Sequence, residues 1–600
     1  MARTAAHHAA TVALVGMLGL VWWLGHPDLY RERGGASSEV GFRMEEVSAA
    51  SGLVFSHREA EFDAKIRNVM PHVAGVGASA SVADFDADGH DDLYVTSSAA
   101  GAPNALFRNR GDGSFEDVAV ALGVAECNSK ELGASMGSIW GDLDNDGFEE
   151  LLVYKYGKLQ LFQNHGGKRF EDVTKVSGLL RHFNSNAAVF FDYDRDGLLD
   201  LYVAGYFSEK HDLYALETTK IMQNSFEFAT NGGHNALFRN EGGLRFRDVT
   251  AETASDCERW TLAVGSADFD GNGYPDLYLA NDYGPEVLLL NRRGKRFEPA
   301  EDVGLSDTSK SGMAVAMGDV RNRGAVDVYV TNISKKGFLF QGNNLRLNLL
   351  GDPRSRMRNV AEGDVADAGW SWGAQFGDFD NDGALDIFVA NGFISGNPKK
   401  DYWYDMGRVA GGVNATFEDA TSWAPIADRT LSGYERSRVL HNDGQGDFAD
   451  VAEAVGVTDL LDGRAVSVAD FAHRGALDVA VANQRERLLL YRAVAPSEHD
   501  WIQIRLVGAA GARGGASNRS AIGASIVLEW ENAKNQKLRQ VRVVDGGCGM
   551  SSQNSRAIHF GLGANARILR ATIRWPSGRE QILTEGLAPR TLRVVQEPSL

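Results

Sequence analysis

Short runs of alternating apolar and polar residues, bounded by Gly, Asn and Asp, recur along most of the chain. Such runs signal β-strands joined by tight turns. They follow a fixed order. A Gly/Ala-rich run such as Gly137-Ser-Ile-Trp140 comes first, then an acidic loop, then an apolar run of the Leu-Tyr-Val type. A Leu-Phe-x-Asn run follows, as in Leu106-Phe107-Arg108-Asn109, Leu161 to Asn164, Leu237 to Asn240 and Leu288 to Asn291. Weaker versions are Leu339-Phe340, Val439 to Asn442 and Leu488 to Leu490. After a glycine-rich turn, Phe-x-Asp-Val ends the unit at Phe115, Phe170, Phe246 and Phe448, with looser versions at Phe297 and Met357. Each unit thus offers four strands. Seven copies are the arithmetic of an all-β, seven-bladed β-propeller. An extra fourth-strand run, residues 42–47, precedes the first unit, and the seventh unit has none after about Arg492. The N-terminal strand is expected to complete the last blade and close the ring, which protects the sheet edges.

The acidic loops carry the chemistry. Five are intact: Asp84, Asp86, Asp88, Gly89, Asp92; Asp142, Asp144, Asp146, Gly147, Glu150; Asp192, Asp194, Asp196, Gly197, Asp200; Asp268, Asp270, Asn272, Gly273, Asp276; Asp378, Asp380, Asp382, Gly383, Asp386. Oxygen ligands at positions 1, 3, 5 and 9 of a tight loop, with Gly at 6, suit a hard cation, calcium or magnesium rather than zinc or copper. Position 7 adds a backbone carbonyl: His90, Phe148, Leu198, Tyr274 and Ala384. The last acid falls at position 9 and opens a strand, so this is not an EF-hand, which needs Glu at 12. Two further copies lose ligands: Asp319, Arg321, Arg323, Asp327, and Asp470, Ala472, Arg474, Asp478. The expectation is about five calcium ions that pin turns rather than catalyse.

Charge agrees with that expectation. The chain has 600 residues, with 80 Asp and Glu against 61 Lys and Arg. The ligand carboxylates, three in the fourth loop and four in each of the others, equal the whole acidic excess. A net charge of −19 argues against a nucleic-acid partner. Three cysteines exclude a disulfide framework. Cys127 and Cys257 each precede an acidic loop, where a disulfide or two free thiols are open.

Residues 1–35 read as a targeting segment. Arg3 precedes an apolar run over residues 9–24, and no small-x-small site follows it, the exit being Trp22-Trp23-Leu24-Gly25-His26-Pro27. An uncleaved membrane anchor is favoured over a cleaved signal peptide or a buried helix. The rest of the chain is then expected outside the cytoplasm, periplasmic or extracellular.

The loops and their two signature strands resemble FG-GAP/VCBS repeats, the blades of integrin α-chains. From about Asp500 the chain looks like an ASPIC/UnbV domain. The matching residues are Asn518-Arg-Ser-Ala-Ile-Gly-Ala524, Gly546-Gly547, Ser551-Ser-Gln553, His559-Phe-Gly-Leu-Gly563 and Arg574-Trp-Pro-Ser-Gly578. Together these suggest the cartilage-acidic-protein-like family. The resemblance implies calcium binding, an extracytoplasmic location and adhesive or recognition roles, with no settled reaction. The expected layout is the targeting segment, a propeller over 40–495 and an ASPIC/UnbV domain over 500–597. That domain's own runs, at 502–506, 524–528, 540–544 and 573–575, read as sandwich strands.

No G-x-S-x-G, H-E-x-x-H, C-x-x-C or Walker loop is present. His57 and His72, ahead of the first acidic loop, read as satisfied loop histidines, with metal or ligand binding as the alternative; His559 reads as structural rather than a ligand, and Cys548 lies in a glycine turn. Two function classes stand: a calcium-stapled scaffold binding an extracellular glycan or protein, and a propeller enzyme acting on polysaccharide or another extracellular substrate. The third and sixth units carry long inserts between strands two and three, which places them on the face away from the calcium loops. Long loops on a rigid scaffold often carry binding. The sixth insert holds Tyr402, Trp403, Tyr404, Trp423 and Tyr434, with Arg436 nearby. Trp403, Tyr404 and Arg436 are the candidate ligand residues. The competing reading is that these aromatics form the insert's own core.

Overall fold

In each repeat a buried run enters the acidic loop, reverses, and returns as a second buried run, so the loop is a hairpin turn between the two innermost strands. In unit one these are Ala80–Ala83 and Asp92–Val95, followed by Ala105–Asn109 and Phe115–Asp117, all antiparallel neighbours. This computed structural model describes residues 40–305, 310–351, 355–410, 416–510 and 515–598. The targeting segment lies outside them. Among the described residues, seven such four-stranded meanders form. Their first strands, beginning with Ala80–Ala83, Gly133–Gly141, His182–Phe191, Trp260–Ala267, Val315–Gly318, Ser371–Gly377 and Gly463–Ala469, succeed one another around a closed ring. This is a β-propeller. The strand Arg43–Glu46 pairs antiparallel with Leu489–Val494, so the last blade takes its outer strand from the start of the chain.

One strand assignment is corrected. Leu339-Phe340 is not the third strand of unit five. It pairs with Ser334–Lys335 in a side hairpin, with Phe338 and Phe340 exposed. The third strand is Asn344–Leu347, followed by Asn348. Apolar neighbours imitate the signature at Leu339, but only Asn348 supplies its essential asparagine.

That asparagine is a staple between blades. Its backbone N–H donates to the position-9 carboxylate of its own loop: Asn109 to Asp92 at 2.7 Å, Asn291 to Asp276 at 2.7 Å, Asn348 to Asp327 at 2.8 Å. Its side-chain amide donates to the position-2 carbonyl of the preceding blade's loop: Asn164 to Phe85, Asn240 to Leu143, Asn291 to Tyr193, Asn348 to Phe269 and Asn442 to Val320. Asn109 reaches Phe471 of the last blade, across the closure. Each staple satisfies a buried carbonyl that would otherwise be costly.

The C-terminal residues form two sheets. One holds Ala557–Ala564, His499–Val507 and Thr591–Gln596; the other Lys537–Val543, Ser525–Glu531, Arg567–Arg574 and Glu580–Leu583. Ile502, Ile504, Ile526, Leu528, Trp530, Phe560 and Ile573 are buried with them.

The two ends of the propeller are closed differently. At the loop end, residues 545–556 leave the C-terminal sheets and run along the innermost strands. Ser552–Gln553 pairs parallel with Ala80 and Ser81. Gln553 accepts from Trp140 N–H and donates to Trp140 C=O. Gly546 C=O accepts from Phe190, and Gly549 bonds Val315. Gln375 donates to Ser552 and Val468 to Asn554. A Cβ on Gly546 would lie 1.9 Å from Phe190 O, so only glycine fits. At the far end, residues 57–76 and the two long inserts knit together. Asp63 N–H donates to Leu213 C=O, Met222 to Glu418, Ala420 to Thr219 and Ile426 to Asn68. Phe62, Ile66, Phe207, Leu216, Trp370, Tyr402, Trp403 and Trp423 pack into one buried lid.

Candidate metal centres

The intact loops share one backbone geometry. Gly at position 6 has positive φ, 94° at Gly89 and 103° at Gly147, which L side chains disfavour. Position 4 is left-handed too, at Asn145, Arg195 and Asn381. This bend turns the position-6 N–H onto the position-1 carboxylate: Gly147 to Asp142 at 2.8 Å, Gly197 to Asp192 at 3.0 Å, Gly273 to Asp268 at 2.9 Å, Gly383 to Asp378 at 3.0 Å. The position-7 N–H donates to the side chain at position 5, as from His90, Phe148, Leu198, Tyr274 and Ala384. The result is convergence. In Asp84/Asp86/Asp92, Asp142/Asp144/Asp146, Asp192/Asp194/Asp200 and Asp268/Asp270/Asp276, one oxygen from each acid lies within 4.8 Å of the others.

The electrostatics fit a cation. Burial and the neighbouring acids push Asp92 up to about 9, Asp142 to about 7 and Asp192 to about 8. Burial, then like charge, likewise raises Glu150, Asp200 and Asp378 well above the carboxylate range; in Asp276 burial is also the main cause. Asp86 Oδ1 and Asp378 Oδ1 are buried with no hydrogen-bond partner. An all-oxygen donor set with an excess of negative charge is what calcium or magnesium takes. Asp88, Asp146, Asp196, Asp380 and Asp382 complete the acid sets.

In the two degenerate loops an arginine occupies position 5 and pairs with the position-9 acid. Arg323 Nη2 lies 2.6 Å from Asp327, and Arg474 reaches Asp478 in the same way. Each guanidinium comes from position 5 and neutralises the position-9 acid. Asp319 still accepts from Gly324 at 2.6 Å, and Asp470 from Gly475 at 2.6 Å.

Several residues at these centres escaped the sequence reading. The variable residue of Leu-Phe-x-Asn points back at its loop: Arg108 to Asp86 at 3.0 Å, Gln163 to Asp144 at 3.2 Å, Arg239 to Asp194 at 2.9 Å and His441 to Asp386 at 2.9 Å. More unexpectedly, the C-terminal domain sits on the loops. Arg505 bonds Asp84 and Asp91 at 2.5 and 2.8 Å. Ser520 accepts from Asp142 N–H, and Arg519 N–H donates to Asn145. Arg195 donates to Pro576 C=O. His559 lies 2.6 Å from Asn381, and His499 2.7 Å from Asp380 C=O. Val541 N–H donates to Asp319, and Gln503 to Asp470. No pattern within either domain announced this docking.

The candidate ligand residues separate. Trp403 is 3% exposed, donates to Ser432 Oγ and stacks with Phe338 at 5.5 Å. It is lid core, which corrects its reading as an accessible anchor; an aromatic on a long insert packs wherever the insert can bury it. Tyr402 and Trp423 are buried beside it. Arg436 pairs with Asp450 and Glu453 on its own blade. Tyr404 is 74% exposed. Cys127, Cys257 and Cys548 are free thiols. Among the described residues no helix is long and apolar enough to cross a membrane.

Residues 84–153, 142–203, 228–279 and 268–330 match the FG-GAP-like repeat, and residues 514–599 match ASPIC and UnbV. Cartilage acidic protein 1 of Homo sapiens is 23% identical over 564 residues, covering 86% of this chain and 73% of that protein. The Xenopus tropicalis protein of the same name is 23% identical over 542 residues, 84% of this chain and 71% of that one. Among solved structures, an Agrocybe aegerita lectin that recognises non-reducing terminal N-acetylglucosamine aligns with TM-score 0.36 and 15% identity, over 68% of this chain and 86% of its own. A six-bladed fungal propeller lectin aligns with TM-score 0.30 and 12% identity, over 52% and 87%.

Proposed function

We propose, for a chain that carries FG-GAP-like repeats and an ASPIC/UnbV domain and is related to cartilage acidic protein 1, that it is a calcium-loaded extracytoplasmic scaffold whose lid face binds a glycan or protein. The observation that carries this reading is the docking of the C-terminal domain on the loop face, which leaves the lid as the large free end. Bound calcium would be held by the five acid sets and would neutralise their repulsion, so occupancy becomes folding stability. The lid presents Tyr404, Phe338 and Phe340, which are 74%, 58% and 63% exposed. Aromatic rings beside polar groups suit sugar or peptide stacking.

Two measurements test this. Equilibrium dialysis should find about five calcium ions per chain; a count near zero refutes the metal reading. A screen of glycans and envelope proteins should yield a binder lost in Tyr404→Ala with Phe340→Ala, with calcium-dependent stability intact. Binding that survives this double substitution places the ligand elsewhere.

A further inference from the structure

The fourth loop differs from the other intact loops in three independent ways. Its position-1 acid, Asp268, is exposed, as are Gly271, Asn272 and Gly273. Of the equivalent acids, Asp142, Asp192 and Asp378 are 3%, 3% and 1% exposed, and Asp84, half-buried, is held by Arg505 of the C-terminal domain. Its position 5 is Asn272, so three carboxylates serve where the others have four. And among the described residues, no hydrogen bond or ion pair joins the C-terminal domain to blade four, residues 260–299, whereas every other blade is touched. The inserted residues 545–556 bond the innermost strands of blades one, two, three, five, six and seven. On the loop face the domain's contacts flank the fourth loop without reaching it. Pro576 receives Arg195 of the third loop, and Arg539 donates to Arg323 C=O of the fifth unit's loop at 2.5 Å. The fourth loop lies in the gap between them.

We infer that residues 268–276 form the chain's one freely exchangeable cation site, with coordination positions open to outside oxygen ligands, while the C-terminal domain retains the ions of the other four loops. The inference rests on the calcium reading above. Lower ligand charge weakens hold on a hard cation. Solvent exposure provides an exit path, and a covered ion must wait for the cap to lift. An ion at Asp268, Asp270 and Asp276 would take water, or the carboxylate or hydroxyl oxygen of a partner, on its exposed side. Of the five acid sets, only this one could pass an ion or bridge to a partner without moving the cap.

The experiment uses the full chain, loaded with calcium, freed of excess, and mixed rapidly with a fluorescent chelator. Release should be biphasic, with one ion leaving at least tenfold faster than the rest. Asp268→Asn with Asp270→Asn should delete the fast phase and leave the slow amplitude. Ser520→Ala, which removes the hydroxyl that accepts from Asp142 N–H over the second loop, should quicken part of the slow phase only. A second measurement needs no variant: terbium added at one equivalent to the calcium-loaded chain should show a luminescence lifetime, in water against deuterium oxide, reporting several bound waters. Release in one phase, a fast phase that survives the double substitution, or a dehydrated terbium ion overturns the inference while leaving calcium binding intact. A chain that retains no calcium overturns both readings, and the two failures are thereby told apart.

Discussion

The two ends of this propeller are closed by opposite chemistry. At the loop end, carboxylates face arginines, amides and histidines of the C-terminal domain. At the lid end, Trp370, Phe393, Tyr402, Trp403 and Trp423 bury one another; Arg429 lies over the Tyr402 ring, and Arg464 is the cation buried most deeply against this cluster. Its guanidinium is fully buried, donates to the carbonyls of Gly75, Gly392, Gly463 and Phe393, and lies 4.3 Å from the Trp372 ring centre. Burial lowers it to about 9. One end is held by charge pairs and the other by apolar area; on the calcium reading proposed above, an ion controls the first and leaves the second untouched. The comparison teaches where each solvent condition should act.

The largest expected effect breaks the loop end. Chelation should lower the melting temperature strongly, and calcium should restore it. Each filled site adds about 2.7 kcal/mol at free ion 100 times Kd. Hydrogen exchange should show the C-terminal domain and loops losing protection first, with the lid strands following only at global unfolding. Equal loss at both ends would erase the distinction.

How much of this was legible follows from range. The loop and its converging acids are local patterns, fixed by spacing within one repeat, and the N-terminal strand that closes the ring followed from counting strands over the whole array. The docking of Arg505 on Asp84 joins residues 421 apart, and no periodicity encodes it. The lid aromatics were visible as residues, but their burial depends on residues 57–76 folding onto both inserts. Leu339-Phe340 misleads because it matches the Leu-Phe half of the signature without its asparagine. Asn348, four residues after Asn344, held the better signal, since its amide bonds the preceding blade. Gly546-Gly547 and Ser551-Ser-Gln553 stood out as motif residues, yet their purpose lies in hydrogen bonds to the innermost strands of blades one, two, three and six.

The next effect breaks the lid end. Trp403→Ala should cost about 3–5 kcal/mol, as large aromatic truncations in cores do. Chemical denaturation with and without calcium should return the same penalty. A penalty that vanishes on chelation would mean the two ends are coupled.

A smaller effect sharpens the comparison inside the loop end. Arg474→Met removes the guanidinium from Asp478, which is fully buried. Arg474 is itself partly exposed, so the cost should be about 1–3 kcal/mol, below that of breaking a wholly buried pair. Excess calcium should not recover it, because Ala472 leaves position 3 without a ligand. Recovery by calcium would show that the seventh loop can bind an ion after all.

The smallest effect is one of slope, and it separates the ends by pH. His72 packs against Phe393, Tyr402 and Trp423 with ring centres 5.5, 5.9 and 5.2 Å away, and its Nε2 is buried with no partner, which corrects its reading as a satisfied histidine. Burial holds it at about 3, and the same cause holds His57 in the lid at about 3. In the unfolded chain both titrate near 6.5. Between those values the unfolded state binds protons that the folded state refuses. Their contribution to stability is therefore full above pH 6.5 and falls as pH drops towards 3, by about 1.4 kcal/mol per pH unit for each histidine at most. The metal-loop acids, raised above their unfolded values, act the other way in the calcium-free protein. Acid should relieve their repulsion while it strains the lid. His72→Phe keeps an aromatic ring in the same pocket and removes one titrating group. Denaturation midpoints at saturating calcium between pH 6.5 and 5 should then decline less steeply than in the parent chain. Parallel slopes would show that His72 reaches solvent as the lid opens, and that the apolar end is less sealed than its packing implies.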